Sequence, residues 1–349
     1  MSRLRARRSV WVPCGVLAVL LAVIAGVAFG PVSLPPAGVA AELLNLIPGV
    51  HLESGLGERE IALVTQLRLP RVVLGLLVGS LLALAGGCYQ GAFRNPLADP
   101  YLLGVAAGAG LGVTALITLR GQAGATLMSD LPLGTPLAAF AGAIVAVVLT
   151  YALAVGGRDR SPTALILSGV AVSAFLAAGQ TFLLQRNADA IREVYSWLLG
   201  RLSTAGWHDV VLILPYAVPT AAFLLLHRRD LDVLSVGDDE AASLGLRPER
   251  LRYLLVTAAS LATAAVVSVS GLIAFVGIIV PHLVRLLLGA SYRTILPASM
   301  LAGGAFLVLT DLVARTAAAP AEIPIGVITA FLGAPFFALV LRAGRRPTW

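Results

Sequence analysis

Ten apolar runs dominate this sequence, each close to the ~20 residues a helix needs to cross the hydrocarbon core of a bilayer. They lie near 10–30, 70–91, 100–118, 136–155, 163–185, 210–226, 253–269, 271–289, 295–314 and 324–341. Only 12% of the 349 residues are charged and 58% are hydrophobic. Average soluble domains carry about 25% charged residues, so half that charge cannot coat a water-soluble surface of this size. A soluble enzyme, a disordered chain and a disulfide scaffold are excluded. The two cysteines, Cys14 and Cys88, both fall inside apolar runs and read as small apolar residues. What remains is an all-α polytopic membrane protein with ten transmembrane helices, forming one domain over 1–349.

The charges give an orientation. All 25 basic residues are arginine. With the N-terminus inside and ten spans, 17 of them fall on the cytoplasmic side, among them Arg94, Arg158, Arg160, Arg345 and Arg346. Eight fall outside: Arg59, Arg68, Arg71, Arg120, Arg186, Arg192, Arg201 and Arg315. This bias obeys the positive-inside rule and puts both termini in the cytoplasm. It also accounts for the net charge of +7 without nucleic acid. The first run follows MSRLRARRSV, yet it is long enough to span and reads as an uncleaved helix.

Two connections are long. The outer stretch 31–69 contains a short apolar part, Ala40–Val50, placed at the membrane surface. The inner stretch 227–252 is highly charged, and Asp238-Asp239-Glu240 followed by Ala-Ala-Ser-Leu-Gly carries the start and stop signals of a short helix. Such a segment reads either as a docking surface for a soluble partner or as a solvated loop.

Small residues set helix packing in lipid, because hiding Leu from acyl chains gains little. Gly104, Gly108 and Gly112 form GxxxGxxxG, and Gly75 and Gly79 form GxxxG. Lying within a span, the glycine-rich run is no dinucleotide loop. Pro215, Pro219 and Pro281 predict kinks. The ionisable groups in or beside spans are few: His282, Arg285, Asp311, Arg315 and Glu322, of which Asp311 and Arg315 stand four apart and can pair. Gln90 and Gln180 can line a pore or bond neighbouring helices. The sequence has no phosphate-binding loop, no metal-ligand cluster, no nucleophile motif and no pair of mid-membrane carboxylates. It therefore predicts no catalytic residues and no cofactor. A polytopic chain with neither catalytic nor ion-coupling groups draws its energy from a partner.

Several motifs occur in a fixed order: Arg68-Leu-Pro-Arg71, Asn95-Pro-Leu-Ala-Asp-Pro100 with Leu103-Gly104, Trp197-Leu-Leu-Gly200, Gly237-Asp-Asp-Glu-Ala-Ala-Ser-Leu-Gly245, Phe275-Val-Gly277, Pro281-His-Leu-Val-Arg285 and Glu322-Ile-Pro-Ile-Gly326. Together they closely resemble permease subunits of type II ABC importers, which take up ferric siderophores, haem and cobalamin. The resemblance covers nearly the whole chain. It implies a homodimer, or a heterodimer with a sister permease, two cytoplasmic ABC ATPases that hydrolyse ATP, and an extracytoplasmic substrate-binding protein. It implies residence in the bacterial cytoplasmic membrane. Arg68, Arg71 and Arg315 match the positions that dock the binding protein, the bland alternative being local pairing or interfacial anchoring. Gly237, Asp238, Asp239, Glu240, Ala241, Ala242, Ser243, Leu244 and Gly245 match the segment that couples to the ATPase. Asn95 matches the inner gate of the pathway, with Gln90 beside it, although Asn95 can equally cap the turn opened by Pro96. Tyr101 and Tyr292 depart from the commonest residues at their positions. The implied cargo is an iron(III)–siderophore or related metal chelate, with cobalamin and haem as alternatives within the family. A secondary transporter independent of ATP is the alternative of another class.

Overall fold

The computed structural model describes residues 2–123, 134–156 and 161–343, and every regular element among them is helical. Arg158, Arg160, Arg345 and Arg346 lie outside the described residues. In chain order the helices are α1 (Ser2–Ala28), α2 (Pro36–Asn45), α3 (Glu58–Ala92), α4 (Val105–Ala123), α5 (Gly134–Gly156), α6 (Pro162–Arg186) and α7 (Ile191–Leu198). They continue with α8 (Trp207–Leu226), α9 (Arg228–Val236), α10 (Asp238–Ser243), α11 (Pro248–Ser270), α12 (Val276–Leu288), α13 (Tyr292–Thr316) and α14 (Ile325–Ala343).

Seven of these, α1, α3, α5, α6, α8, α11 and α13, are long and apolar enough to cross a membrane. Three shorter apolar helices, α4, α12 and α14, fall where the other predicted spans lie. The differences from the predicted limits have local causes. The third run does not start as α-helix at residue 100: Pro100–Leu103 is a 3-10 turn ended by Gly104 at φ +81, and α4 begins only at Val105. The eighth run does not start at 271. Gly271 (φ +69) and Phe275 (φ +69) are both left-handed, so the chain stays irregular until Val276. The 13 residues of α12 reach about 20 Å, short of the ~30 Å core. Conversely, α3 is 35 residues long and starts twelve residues before the predicted span. It widens into a π-helical turn over Leu63–Arg68, just ahead of Pro70, which has no N–H to give.

Helix α3 is the axis of the molecule. It packs against α13, α11 and α12, and 78% of its most apolar window is buried. For α1 the figure is 17%, so α1 is a peripheral helix laid against α13. Backbone contact at glycine makes the central packing possible. A Cβ on Gly79 would lie 2.2 Å from the carbonyl oxygen of Gly303 in α13, and one on Gly86 only 1.9 Å from that of Gly277 in α12. Gly108 and Gly112 of α4 meet Gly142 and Ala138 of α5 in the same way. Gly104, expected in that stripe, instead supplies the left-handed turn, and Gly75 makes only ordinary contacts.

Candidate functional site

The polar side chains gather at the two ends of the helix bundle. At the end where α3 begins and α13 finishes, the Arg71 guanidinium is held between two carboxylates. Its Nε and Nη2 donate to Asp311 at 2.8–3.2 Å, and its Nη1 and Nη2 donate to Glu322 at 2.9 and 3.0 Å. Asp311 also stands 3.1 Å from Nε of Arg315, the predicted i,i+4 pair. Both remaining predicted docking residues turn inward. Arg315 is 4% exposed and donates through Nη2 to the carbonyl of Gly26 at 2.8 Å. Arg68 is 6% exposed and donates to the carbonyls of Val27, Ala28 and Val32. Together these two arginines satisfy the carbonyls that the end of α1 leaves open, a favourable arrangement for cations at a helix C-terminus. In the structure Arg68 and Arg315 fasten α1, and Arg71 is doubly paired.

Other cations at this end of the bundle do face solvent. Arg192 on α7 and Arg201 just after it are exposed, and among the described residues neither has a carboxylate partner. Both line a cavity of about 420 Å³ together with Arg71, Asp311 and Glu322. The sequence placed both arginines outside but gave no reason to single them out.

Beside this cavity three irregular segments meet. The N–H of Arg201 donates to Ser270, that of Gly326 donates to Leu199, and Gly271 packs on the Trp197 carbonyl. Irregular backbone at membrane depth persists only where it is buried or lines a cavity. Tyr101 provides the missing partners: its hydroxyl donates to the Ile273 carbonyl at 3.0 Å and accepts from the Ile273 N–H at 3.2 Å. An apolar groove of about 590 Å³ opens from here along α14, walled by Leu199, Leu272, Val327, Phe331 and Pro335.

At the opposite end, α9 and α10 form a bent pair. The Asp232 carboxylate of α9 accepts from the N–H of Tyr292 and the hydroxyl of Ser291, capping the start of α13. Asp238 at the start of α10 pairs with Arg252 at 2.7 Å and Arg94 at 3.3 Å, and Arg252 also donates to the Ala92 carbonyl at the end of α3. The helix stops at a Schellman turn: the N–H groups of Gly245 (φ +85) and Leu246 donate to Ala242 and Ala241. Gly237 and Ala241 are buried against the body, while Asp239, Glu240, Ala242, Ser243 and Gly245 are exposed. Leu244 and Val236 project at 70% and 71% exposure. The predicted short helix is therefore present as a knob whose base is locked to α3 and α13.

The two residues expected at the gate, Asn95 and Gln90, lie near this end. Asn95 is exposed, and its Oδ1 accepts from the Leu97 N–H at 2.9 Å, a turn closed over Pro96. Gln90 is 1% exposed. Its Nε2 donates to the carbonyls of Gly277 (3.3 Å) and Ile278 (3.4 Å), and its Oε1 accepts from Arg285. Gly277 stands four residues before Pro281, so its carbonyl is the one that proline cannot serve. Gln90 thus repairs the break in α12. Arg285 in turn donates to the Tyr292 hydroxyl at 2.8 Å. Gln180 lies over Gly110, and His282 meets Phe336 edge-on at 5.8 Å between ring centres. Among the described residues no three His, Cys, Asp or Glu side chains group as metal ligands.

Comparison with known proteins agrees with this architecture. The chain is 44% identical over 305 residues to the cobalamin import system permease protein BtuC of Halobacterium salinarum, covering 87% of this chain and 80% of that one. It is 39% identical over 281 residues to the hemin transport system permease protein HmuU of Yersinia pestis (79% and 82%). Over 289 residues it is 37% identical to the Fe(3+)-citrate import system permease protein YfmD of Bacillus subtilis (83% and 84%). Among solved structures, one described as an inward-facing conformation of a metal-chelate type ABC transporter superposes with a TM-score of 0.80 at 29% identity, over 94% of this chain and 97% of that one. The model of the FecCD transport family matches residues 17–343, from the middle of α1 to the end of α14, and the chain belongs to that family.

Proposed function

We propose that this chain is the single-domain membrane-spanning permease of an ATP-driven importer for an iron(III) chelate. The observation that carries the reading is the α9–α10 knob. Its exposed apolar tips, Val236 and Leu244, sit among exposed acids on a base fixed to the two central helices α3 and α13. A knob built this way transmits force from a soluble partner rather than folding for its own sake. That partner is a pair of cytoplasmic ABC ATPases, which closes on ATP and moves the knob. The residues of Gly237–Gly245 form the coupling segment.

A second permease, identical or a sister chain, covers the apolar groove along α14, and the substrate passes between the two. The extracytoplasmic binding protein docks at the opposite end, where Arg71 lies at the surface and Arg68 and Arg315 hold the helix ends that frame it. The arginine bias supports the cytoplasmic membrane as the location, with both termini inside. The chain supplies no catalytic group of its own. Cobalamin is the second cargo to test, because the cobalamin permease of Halobacterium salinarum is similar over 87% of this chain.

The test is reconstitution in proteoliposomes with candidate ATPase and binding proteins. Labelled iron–siderophore, cobalamin and haem are offered in parallel, with and without ATP. Uptake of an iron chelate that needs ATP and both partners is the expected result. Uptake that persists without an ATPase would overturn the importer reading and favour a secondary transporter.

A further inference from the structure

We propose that the groove between α5, α8 and the start of α11 holds one anionic phospholipid, its phosphate on Arg250 and an acyl chain along the apolar wall behind it. The site does not depend on what the permease carries. Only its leaflet, the cytoplasmic one, rests on the orientation proposed above.

The groove has the depth and the walls of a lipid slot. Its volume is about 580 Å³. Val155 of α5 and Phe223 of α8 form two walls, and Tyr253, Leu254, Thr257 and Ala258 of α11 form the third. The lining positions of α11 recur at i, i+4 and i+8, so they make one stripe along the helix. From Glu249 to Ala258 that stripe rises about 14 Å, at ~1.5 Å per residue. This is close to half of the ~30 Å hydrocarbon core, the depth of one leaflet. Val155 and Leu254 at the groove and Leu226 at the end of α8 are exposed, so the slot continues the apolar surface that the bundle turns to lipid. Tyr253 and Tyr151, with ring centres 5.5 Å apart, form an aromatic pair beside it, the residue type that gathers at a membrane–water interface.

One end of the slot is cationic. Arg250 lines it. Arg247 stands just before α11, and Arg228 and Arg229 follow Phe223 by five and six residues, past the end of α8. Among the described residues none of these four arginines is paired with a carboxylate. The acids of the same stretch are accounted for. Glu249, which also lines the groove, has an interaction of its own. Asp232 holds the start of α13, and Asp238 holds Arg252 and Arg94. Asp230 lies in the first turn of α9, where the helix dipole favours it, and Asp239 and Glu240 stand exposed on α10. Arg158, Asp159 and Arg160 lie outside the described residues. Unpaired guanidinium groups at the mouth of an apolar slot between helices suit a phosphate that brings its own hydrocarbon chain.

The site adjoins the base of the knob. Arg252, two residues after Arg250, is buried and pairs with Asp238 at the start of α10. A headgroup on Arg250 therefore steadies the turn of α11 to which the knob is fixed.

The test is native mass spectrometry of the purified, delipidated permease, titrated with phosphatidylglycerol or with phosphatidylcholine of the same acyl chains. One phosphatidylglycerol is expected to bind at least about fivefold more tightly than phosphatidylcholine. Arg250→Gln, at an exposed position, should lower phosphatidylglycerol affinity about fivefold and leave phosphatidylcholine unchanged. Arg59→Gln, exposed at the opposite end, should change neither. Ala258→Leu fills the slot and should weaken both lipids while the unfolding midpoint in detergent stays that of the parent. Equal affinity for the two lipids, or an unchanged phosphatidylglycerol affinity in Arg250→Gln, refutes the site. Release of the lipid by ammonium phosphate would show an anion site without a slot, and loss of a permease dimer in Ala258→Leu with lipid binding intact would give the groove to a second copy; either result overturns the proposal. The leaflet is tested apart, in cells expressing the permease alone. Leu244→Cys in a Cys14→Ser background should react with a membrane-impermeant maleimide only after the membrane is opened. Labelling of intact cells would overturn the orientation, and with it the leaflet, while the lipid titrations still decide the site.

Discussion

Gln90 and Pro281 are 191 residues apart in sequence and act on the same carbonyl, which makes their coupling measurable. Pro281 removes the N–H that would serve Gly277, and Gln90 Nε2 stands in at 3.3 Å. Gly86 packs its backbone on the same carbonyl, closer than any Cβ would permit, so water is excluded there. Replacing Gln90 with Met keeps the bulk and deletes both hydrogen-bonding functions. A buried acceptor left without a donor costs about 1–3 kcal/mol. The long distances, 3.3 and 3.4 Å, argue for the lower half of that range. Loss of the acceptor for Arg285 adds about 1 kcal/mol. Gln90→Met should therefore destabilise by about 2–3 kcal/mol. In a Pro281→Ala background the restored N–H serves Gly277, and only the Arg285 contribution remains. The double-mutant cycle should show a coupling of about 1–2 kcal/mol, in the sense that Pro281→Ala relieves the Gln90 defect. Equilibrium unfolding of the purified protein in mixed micelles, followed by the fluorescence of its four tryptophans, measures all four corners. Additivity within about 0.3 kcal/mol would refute the argument, because it would mean that the amide does not replace the proline's missing bond.

Three further outcomes are expected. Gly108→Val places a Cβ 2.2 Å from the Gly142 carbonyl, so α4 and α5 must separate; folded yield by size-exclusion should fall sharply, whereas Gly75→Ala, with no contact nearer than 3.5 Å, should fold normally. Arg68→Met strips donors from the carbonyls of Val27 and Ala28 at the end of α1 and of Val32 just beyond it, and should cost about 3 kcal/mol in the same unfolding assay; a loss under about 1 kcal/mol would show that Arg68 is not what fastens α1. Leu244→Arg alters only an exposed tip of the knob, so the permease should keep its unfolding midpoint but lose at least about 90% of the ATPase that co-purifies with it; full co-purification would contradict the coupling assignment.

The sequence by itself determined the bilayer as solvent, the positions of the apolar helices, and the short helix Asp238–Ser243 with its glycine stop. These follow from local properties: the length of an apolar run, and acids and glycine at helix ends. The Asp311–Arg315 pair was legible for the same reason, being one helical turn apart. Only the tertiary structure decided what the polar residues do. Arg71 meets acids 240 and 251 residues away, and Arg68 meets carbonyls about 40 residues earlier. Gln90 serves a carbonyl exposed by a distant proline, and Tyr101, which the sequence marked only as unusual, satisfies both backbone groups of Ile273. A hydrophobic run announces its environment residue by residue. A buried donor announces nothing until its acceptor is brought beside it, and in a membrane protein that acceptor is most often a backbone carbonyl, which every residue carries and no sequence pattern marks.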